Sequence, residues 1–364
     1  MSSIVESRRR SGRACRYFAV FASLVGLLTG PAVVLAGETT PYRVLPAIQR
    51  GNLTIFPLVA SRSYDTTPLL TLDEGVRSGQ VVITEEGLER GLVRPGQALP
   101  PRTGPQVNRL VLYNNASRPL LLLAGEIVTG GHQDRVVGAD TIVPAQTGPI
   151  DLDVFCVEPG RWTGASPKFG AVATPMAQPS VRMPAMAEGN QGKVWDSVAK
   201  ARTSMAAQLN VPEAAAVAGT TSYAGAFQSA PVEKRIEQYG GLASEQAILR
   251  ELRKEGATGV VVAVGGNIVW ADAFASTDLL ARYWPKLIRS YVAEAMTTTG
   301  GSTTPDVHQA ESWMAEMTGG REVVETVPGV FRRTKVTGDG YQVITLRSML
   351  PGESFDVHTA KLRE

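Results

Sequence analysis

The residues most able to carry out chemistry lie close together, between Leu121 and Trp162. Short charged and polar runs interrupt apolar sequence there, and glycines flank them. Buried charge is costly unless it is paired or functional, and glycine lets the backbone approach a ligand closely. The sequence therefore predicts a site for a polar or anionic ligand. Its predicted ligand-binding residues are Glu126, Gln133, Asp134, Arg135, Glu158, Arg161 and Trp162.

The side chains of this predicted site offer complementary roles. The planar guanidinium groups of Arg135 and Arg161 fit a carboxylate or a phosphate. Glu126 and Glu158 could pair with these arginines or transfer protons. Trp162 could stack on a ring or a sugar face. The same charges could instead form an internal Glu–Arg network that ties strand ends together, because perturbed charges mark both kinds of place.

Catalysis is the alternative to binding, and its candidates are Glu126, Glu158, Cys156 and His132. A Cys156–His132 dyad would follow the pattern of a nucleophile beside a base. The thiol and the next arginine are spaced as in the anion-binding loops of rhodaneses and cysteine phosphatases. Pro159 removes a backbone N–H from that loop, and no helix start follows it, so the match is poor. The alternative function is thus a hydrolase that uses a glutamate or the thiol, and enzyme status stays open.

Motifs for cofactors and metals do not occur in the chain. There is no paired cysteine or HExxH spacing for zinc, no GxGxxG and no phosphate-binding loop. We therefore predict no cofactor and no metal.

The N-terminal 36 residues have the order of a secretory signal peptide. Five arginines fall within the first 16 residues, an apolar run covers 17–28, and Gly30-Pro31 precedes a small residue at Ala36. This order predicts cleavage after residue 36 and a periplasmic or secreted location. Residues 17–36 are nearly long enough to span a bilayer, so contact with a membrane is expected only if this segment is retained as an anchor.

Removal of the signal segment changes the charge and the cysteine count. The segment carries five arginines and one glutamate, so the formal charge of the chain changes from +2 to about −2. A near-neutral mature chain argues against nucleic acid or an anionic membrane surface as a partner. The predicted partner is an unidentified ligand or protein. Cys156 is then the one remaining cysteine, which leaves no internal disulfide.

Periodicity predicts an α+β fold around these residues. Residues 52–160 read as short strands separated by turns, which favours an antiparallel sandwich or barrel-like core. Helices dominate the second half, and residues 276–292 carry the clearest apolar face. Composition and turn residues predict four further features of the chain. They are a flexible insert at 163–192, a Thr/Gly linker at 296–304, a C-terminal appendage at 305–364 and, within it, a β-hairpin turning at Gly338-Asp339-Gly340.

The same motifs resemble the ARPP-1 family, the ARG and rhodanese-phosphatase-superfamily associated protein domain. The resemblance covers residues 45–295, and its most specific part is the run from Cys156 to Trp162. The other matching motifs are Leu53–Leu58, Thr71-Leu72-Asp73-Glu74, Gly125-Glu126, Gly131–Arg135 and Val194-Trp195-Asp196. The family is named for its associates, among them ADP-ribosylglycohydrolase-type domains, and its own activity is undefined. The resemblance therefore implies no substrate for an exported chain.

Overall fold

The structure is a computed structural model that describes part of the chain. The described residues are 41–88, 108–160, 166, 168–171, 176–239, 241–300, 303–352 and 354–364. The predicted signal segment and two predicted site residues, Arg161 and Trp162, lie outside them. In the described ranges, no helix has both the length and the apolar character needed to cross a membrane.

Strands and helices are mixed along the described chain, which confirms the predicted α+β class. The strands are β1 Tyr42–Val44, β2 Ile48–Arg50, β3 Leu53–Ala60, β4 Leu70–Thr71, β5 Val81–Thr84, β6 Arg109–Asn114, β7 Leu120–Leu122, β8 Ile127–Gly130, β9 Arg135–Val137, β10 Thr141–Val143, β11 Thr147–Cys156, β12 Phe169–Gly170, β13 Gly259–Val264, β14 Asn267–Phe274, β15 Arg321–Val327, β16 Phe331–Thr337, β17 Tyr341–Ser348 and β18 Asp356–Arg363. The helices are α1 Leu72–Arg77, α2 Pro179–Met183, α3 Gln191–Ala207, α4 Val211–Gly219, α5 Tyr223–Phe227, α6 Ala230–Gln238, α7 Gly241–Lys254, α8 Thr277–Thr297 and α9 Val307–Ala315, with a π-helical turn at Pro184–Glu188 after α2.

Six antiparallel strands form a nearly closed barrel. Their order is β12, β8, β9, β11, β6 and β5. A backbone bridge between Thr84 and Lys168 brings the two outer strands back together. Alternate residues of the strands, such as Leu112, Val137 and Val154, fill the interior. The barrel-like core predicted from the short strands of the first half is confirmed.

A small three-stranded sheet in the order β10, β7, β4 leads into helix α1. The Thr71 hydroxyl accepts a hydrogen bond from the Glu74 N–H, and the Glu74 carboxylate accepts one from the Thr71 N–H. This reciprocal capping box fixes the start of α1 directly after Thr71. It also fixes Asp73 and Glu74 in the first turn, where they face helix α8.

Nine strands form a third, wholly antiparallel sheet that joins distant parts of the chain. Its order is β1, β3, β13, β14, β18, β17, β16 and β15, with β2 beside β3. The predicted C-terminal hairpin is present as β16 and β17. Its strands are continuous with the main sheet, because β18 pairs with β14 on one side and with β17 on the other.

Helix α8 lies between the nine-stranded sheet and the barrel side of the molecule. Its apolar residues are buried, which confirms the predicted core face, and it runs through Pro285 without a break. Two polar side chains reach toward the barrel side: the Tyr283 hydroxyl donates to Leu121 O at 3.1 Å, and Lys286 lies 2.9 Å from Glu126. The helix thus links the nine-stranded sheet to β7 of the small sheet and to Glu126, which precedes barrel strand β8.

The prediction of a flexible insert at 163–192 is wrong for residues 176–192, the longest part of that range that the structure describes. Helix α2 and the π-helical turn occupy most of that stretch. Met176, Val181 and Ala185 are buried in the main core, each 1% exposed or less. Composition misleads here because proline fits the first turn of a helix and alanine allows close packing, although both are also common in loops.

Candidate functional site

Arg135 and Cys156 face each other at one end of the barrel. They are direct partners in the pairing of β9 with β11. Val137 lies two residues after Arg135 on β9, and Val154 lies two residues before Cys156 on β11. Both valines belong to the barrel core. Because alternate residues share a face, the side chains of Arg135 and Cys156 lie on the inward face of the barrel wall.

Arg135 is fully buried and only partly hydrogen-bonded. Its Nη1 donates to Gln133 O at 2.7 Å, and its Nη2 lies 3.7 Å from Glu85 Oε1. Among the described residues, Nε and Nη2 have no hydrogen-bond partner. Burial lowers the pKa of Arg135 against the opposing attraction of Glu85. An incompletely satisfied buried guanidinium is uncommon in a folded protein and indicates either a ligand or a strained internal pair.

A glycine loop holds acidic groups around this arginine. Gly131 has a φ of +54°, and a Cβ there would lie 2.2 Å from the Phe169 ring and 2.7 Å from Glu85 Oε1. Asp134 accepts hydrogen bonds from Gly130 N–H at 3.1 Å and from the Ser222 hydroxyl at 2.8 Å. We call the resulting group the barrel-end cluster. Its members are Glu85, His132, Gln133, Asp134, Arg135, Cys156 and Glu158.

Glu158 and His132 complete the cluster at its sides. Glu158 Oε2 accepts a hydrogen bond from Asp134 N–H at 3.2 Å, and the Gln133 amide donates to Glu158 O at 3.3 Å. His132 faces Glu85, with Nδ1 3.4 Å from Oε1, and its side chain is 20% exposed. His132 therefore marks the outer side of an otherwise buried cluster. Glu85, which the sequence interpretation missed, directly follows β5 and is as buried as Arg135.

The Cys156 thiol is buried and held by its neighbours. The Gln191 side chain pairs with both backbone groups of Cys156, at 2.8 and 2.9 Å, like a short extra strand. Sγ accepts a hydrogen bond from the Glu158 N–H at 3.4 Å. Burial raises the pKa of this thiol, so that it is protonated at neutral pH and is a weak nucleophile.

Native Cys156 should resist alkylation. In a full chain carrying Cys15→Ser, we expect a thiol reagent at pH 7.5 to label the folded protein at least ~100-fold more slowly than the protein unfolded in urea, because both burial and protonation block the reaction. Timed labelling followed by intact mass measures this ratio. Rapid labelling of the folded chain would restore the thiol as a candidate nucleophile.

Glu126 lies in a different cluster from the other predicted site residues. It is fully buried, and its Oε2 accepts a hydrogen bond from Leu123 N–H at 2.9 Å. Lys286 on α8 contacts Glu126 Oε1 at 2.9 Å and Asp73 at 2.6 Å. Burial alone would lower the pKa of Lys286, but the two carboxylates outweigh it and raise the pKa. Glu126 thus forms a buried ion pair that fixes α8, while Gln133, Asp134, Arg135 and Glu158 come together at the barrel end.

A third group of charges, which the sequence interpretation missed, is also fully buried. Both terminal nitrogens of Arg182 donate to Asp272 at 3.0 Å. His358 lies between two carboxylates, with its Nε2 3.1 Å from Asp272 and its Nδ1 2.6 Å from Asp140. The Tyr291 hydroxyl donates a hydrogen bond to Asp272. We call these five residues the buried charge network. The signal was available, since Asp272 interrupts the apolar strand β14 as the predicted site residues interrupt theirs.

Gly125 of the Gly125-Glu126 motif leaves room for the Arg182 side chain of this network. Its φ is +94°, and a Cβ would lie 2.6 Å from the Arg182 Nε. The glycine therefore allows the guanidinium to pass, and it does so in a backbone conformation that other residues rarely adopt. In the described part of the chain, no group of three or more His, Cys, Asp or Glu residues is arranged to hold a metal ion.

These features define an α+β protein that couples a nearly closed barrel to a long antiparallel sheet, with a polar cluster at the barrel end. The ARG and Rhodanese-Phosphatase-superfamily-associated Protein domain, ARPP-1, matches residues 41–357. The chain belongs to the ARPP-1 family. The match extends the 45–295 resemblance into the C-terminal strands. Comparisons with curated proteins and with solved structures gave no match.

Proposed function

We propose that this chain is an exported, non-catalytic binding domain whose barrel-end cluster holds a small polar ligand. The observation that carries the proposal is Arg135, which is fully buried while two of its nitrogens have no hydrogen-bond partner among the described residues. A bound ligand would satisfy these donors, and buried donors left unsatisfied are costly.

The atoms of the cluster without hydrogen-bond partners indicate which groups a bound ligand would carry. Nε and Nη2 lie on one edge of the guanidinium, the edge that donates two parallel hydrogen bonds to a carboxylate. Two acceptor oxygens, Glu85 Oε2 and Gln133 Oε1, also lack hydrogen-bond partners among the described residues. A complementary ligand carries a carboxylate and an N–H or O–H donor, as α-amino and α-hydroxy acids do. The carboxylates of Glu85, Asp134 and Glu158 disfavour a multiply charged phosphate.

A thermal-shift screen with a panel of α-amino and α-hydroxy acids tests this site. We expect at least one acid to raise the Tm of the wild-type chain, because at ~100 times its Kd a ligand adds about 2.7 kcal/mol of stability. Arg135→Lys keeps the charge but loses the two-donor edge, and it should abolish the shift. Arg118→Lys is the matched control, since Arg118 donates to the carbonyls of Thr67 and Leu69 outside the cluster.

Two results would contradict the binding proposal. One is that no acid of the panel shifts the Tm of the wild type. The other is that the shift survives in Arg135→Lys. If, in addition, a double-mutant cycle between Arg135 and Glu85 shows strong coupling in stability, the cluster is an internal network.

Export is the second part of the proposal and has separate support. Residues 1–36 have the basic, apolar and small-residue order of a secretory signal. N-terminal sequencing of the chain produced in bacterial cells should find Gly37 first, in a fraction outside the cytoplasm. A cytoplasmic chain that retains residues 1–36 would contradict export.

A further inference from the structure

A cleft of about 460 Å³ opens between β10 and β11, a volume within the range of ligand clefts. Three residues separate these strands in the chain, and yet they do not pair. Strand β10 pairs with β7, whereas β11 pairs with β6 and β9. The side of the barrel therefore has a seam, lined by both strands and by residues of β15 and β16.

The β11 edge along this seam carries unused backbone groups at Asp151. Gly138 N–H donates to Asp153 O at 3.1 Å, so this carbonyl of β11 points away from β6. Backbone groups two residues apart point the same way, so the N–H and C=O of Asp151 also face the seam. They have no backbone partner among the described residues. Across the seam, β10 is the outermost strand of its three-stranded sheet.

Side chains around the seam give it an apolar floor and a charged rim. Leu112, Leu122 and Ile142 form the floor, and all three are buried. Among the residues that the structure describes, the rim holds two arginines and three carboxylates, and both arginines are paired with rim carboxylates. Arg109 lies 3.7 Å from Asp151, and Arg333 is paired with Glu325. The exposed carboxylate of Asp153 leaves the rim with a surplus of negative charge.

We propose that this seam binds an extended peptide that adds a strand between β10 and β11. Its backbone would pair with the open edges, its apolar side chains would cover the floor, and alternate basic side chains would meet the acidic rim. Strand addition takes its affinity from main-chain hydrogen bonds and its specificity from alternate side chains; here the Asp151 backbone offers the first and the acidic rim the second. The seam is distinct from the barrel-end cluster, so this proposal does not depend on the one above.

The probe is a fluorescein-labelled peptide of sequence Val-Lys-Val-Lys-Val, blocked at its C-terminus, and the readout is anisotropy with the full chain. We expect saturable binding. N-methylation of the three central residues should weaken it at least ~10-fold, because it removes main-chain donors without changing the side chains. The acidic peptide Val-Glu-Val-Glu-Val should also bind more weakly.

A matched pair of variants locates the peptide. Thr141 on β10 is half-buried in the seam, so Thr141→Trp should fill it and weaken binding at least ~10-fold. Thr326 on β15 alternates with Glu325 and Val327, which line the seam, and therefore lies on the other face. Thr326→Trp should leave the affinity unchanged. The N-methylated peptide keeps the test valid if Thr141→Trp does not fold.

Several outcomes would overturn the proposal. They are an absence of binding at millimolar peptide, equal binding of the N-methylated peptide, and equal loss in the two tryptophan variants. A wild-type dimer in size-exclusion chromatography that the peptide fails to dissociate, and that Thr141→Trp converts to monomer, would assign the seam to a second copy of this chain instead.

Discussion

Arg182→Ala should lower the free energy of unfolding by about 3–5 kcal/mol, the cost typical of breaking a buried ion pair. Arg182 and Asp272 are both fully buried, and two hydrogen bonds of 3.0 Å join them. The truncation leaves the Asp272 carboxylate in the interior without its guanidinium. It also removes the cation–π contact of Arg182 with the Trp270 ring, at 4.4 Å.

Urea denaturation followed by circular dichroism measures this loss. Arg347→Ala is the control, because Arg347 pairs with Asp356 at 2.7 Å on the surface, with both side chains more than 40% exposed. Exposed pairs contribute at most about 1 kcal/mol. If the two variants lose the same small amount, the buried charge network stabilises the fold no more than a surface ion pair does.

His358 should make the chain less stable as the pH rises, by about 3 kcal/mol in total. Burial lowers the pKa of His358, but Asp140 and Asp272 outweigh it and raise the pKa to about 9. An unfolded histidine has a pKa of about 6.5. The folded state therefore holds the proton more tightly than the unfolded state. This stabilisation is fully present below about pH 6.5 and is lost as the pH rises through about 9.

The measurement is the difference in unfolding free energy between the wild type and His358→Gln, from pH 6 to pH 9.5. We expect the wild-type advantage to shrink over this range. Lys361 acts in the opposite sense, since burial lowers its pKa to about 8. Both chains carry Lys361, so subtraction removes its effect. Parallel pH profiles would show that His358 is not the group responsible.

Local patterns in the sequence were enough to predict much of the fold. The barrel strands are short apolar runs separated by turns, helix α8 repeats its apolar face every three to four residues, and Gly338-Asp339-Gly340 marks a hairpin. Each of these signals depends on residues within one turn or one strand of each other. The capping box at Thr71 is equally local. These elements were therefore readable before any tertiary contact was known.

The candidate site was predicted less completely, because its partners are distant in sequence. Glu126 and Arg135 are close in sequence, but Glu126 pairs with Lys286 and Arg135 lies beside Glu85. No local pattern shows which distant charge will meet which. The buried charge network, drawn from five separate segments, was missed for the same reason. The stretch after residue 176 was misread because its composition fits a loop and a packed helix equally well.

The position of β18 constrains how the chain can fold. Asp356–Arg363 lies between β14 and β17, yet it follows every other described strand of that sheet in the chain. Until it is in place, two strands that become interior have open edges, and His358 cannot reach Asp272. Open edges are where folding chains pair wrongly. The last described strand of this sheet therefore has to insert between two earlier strands instead of adding at an edge.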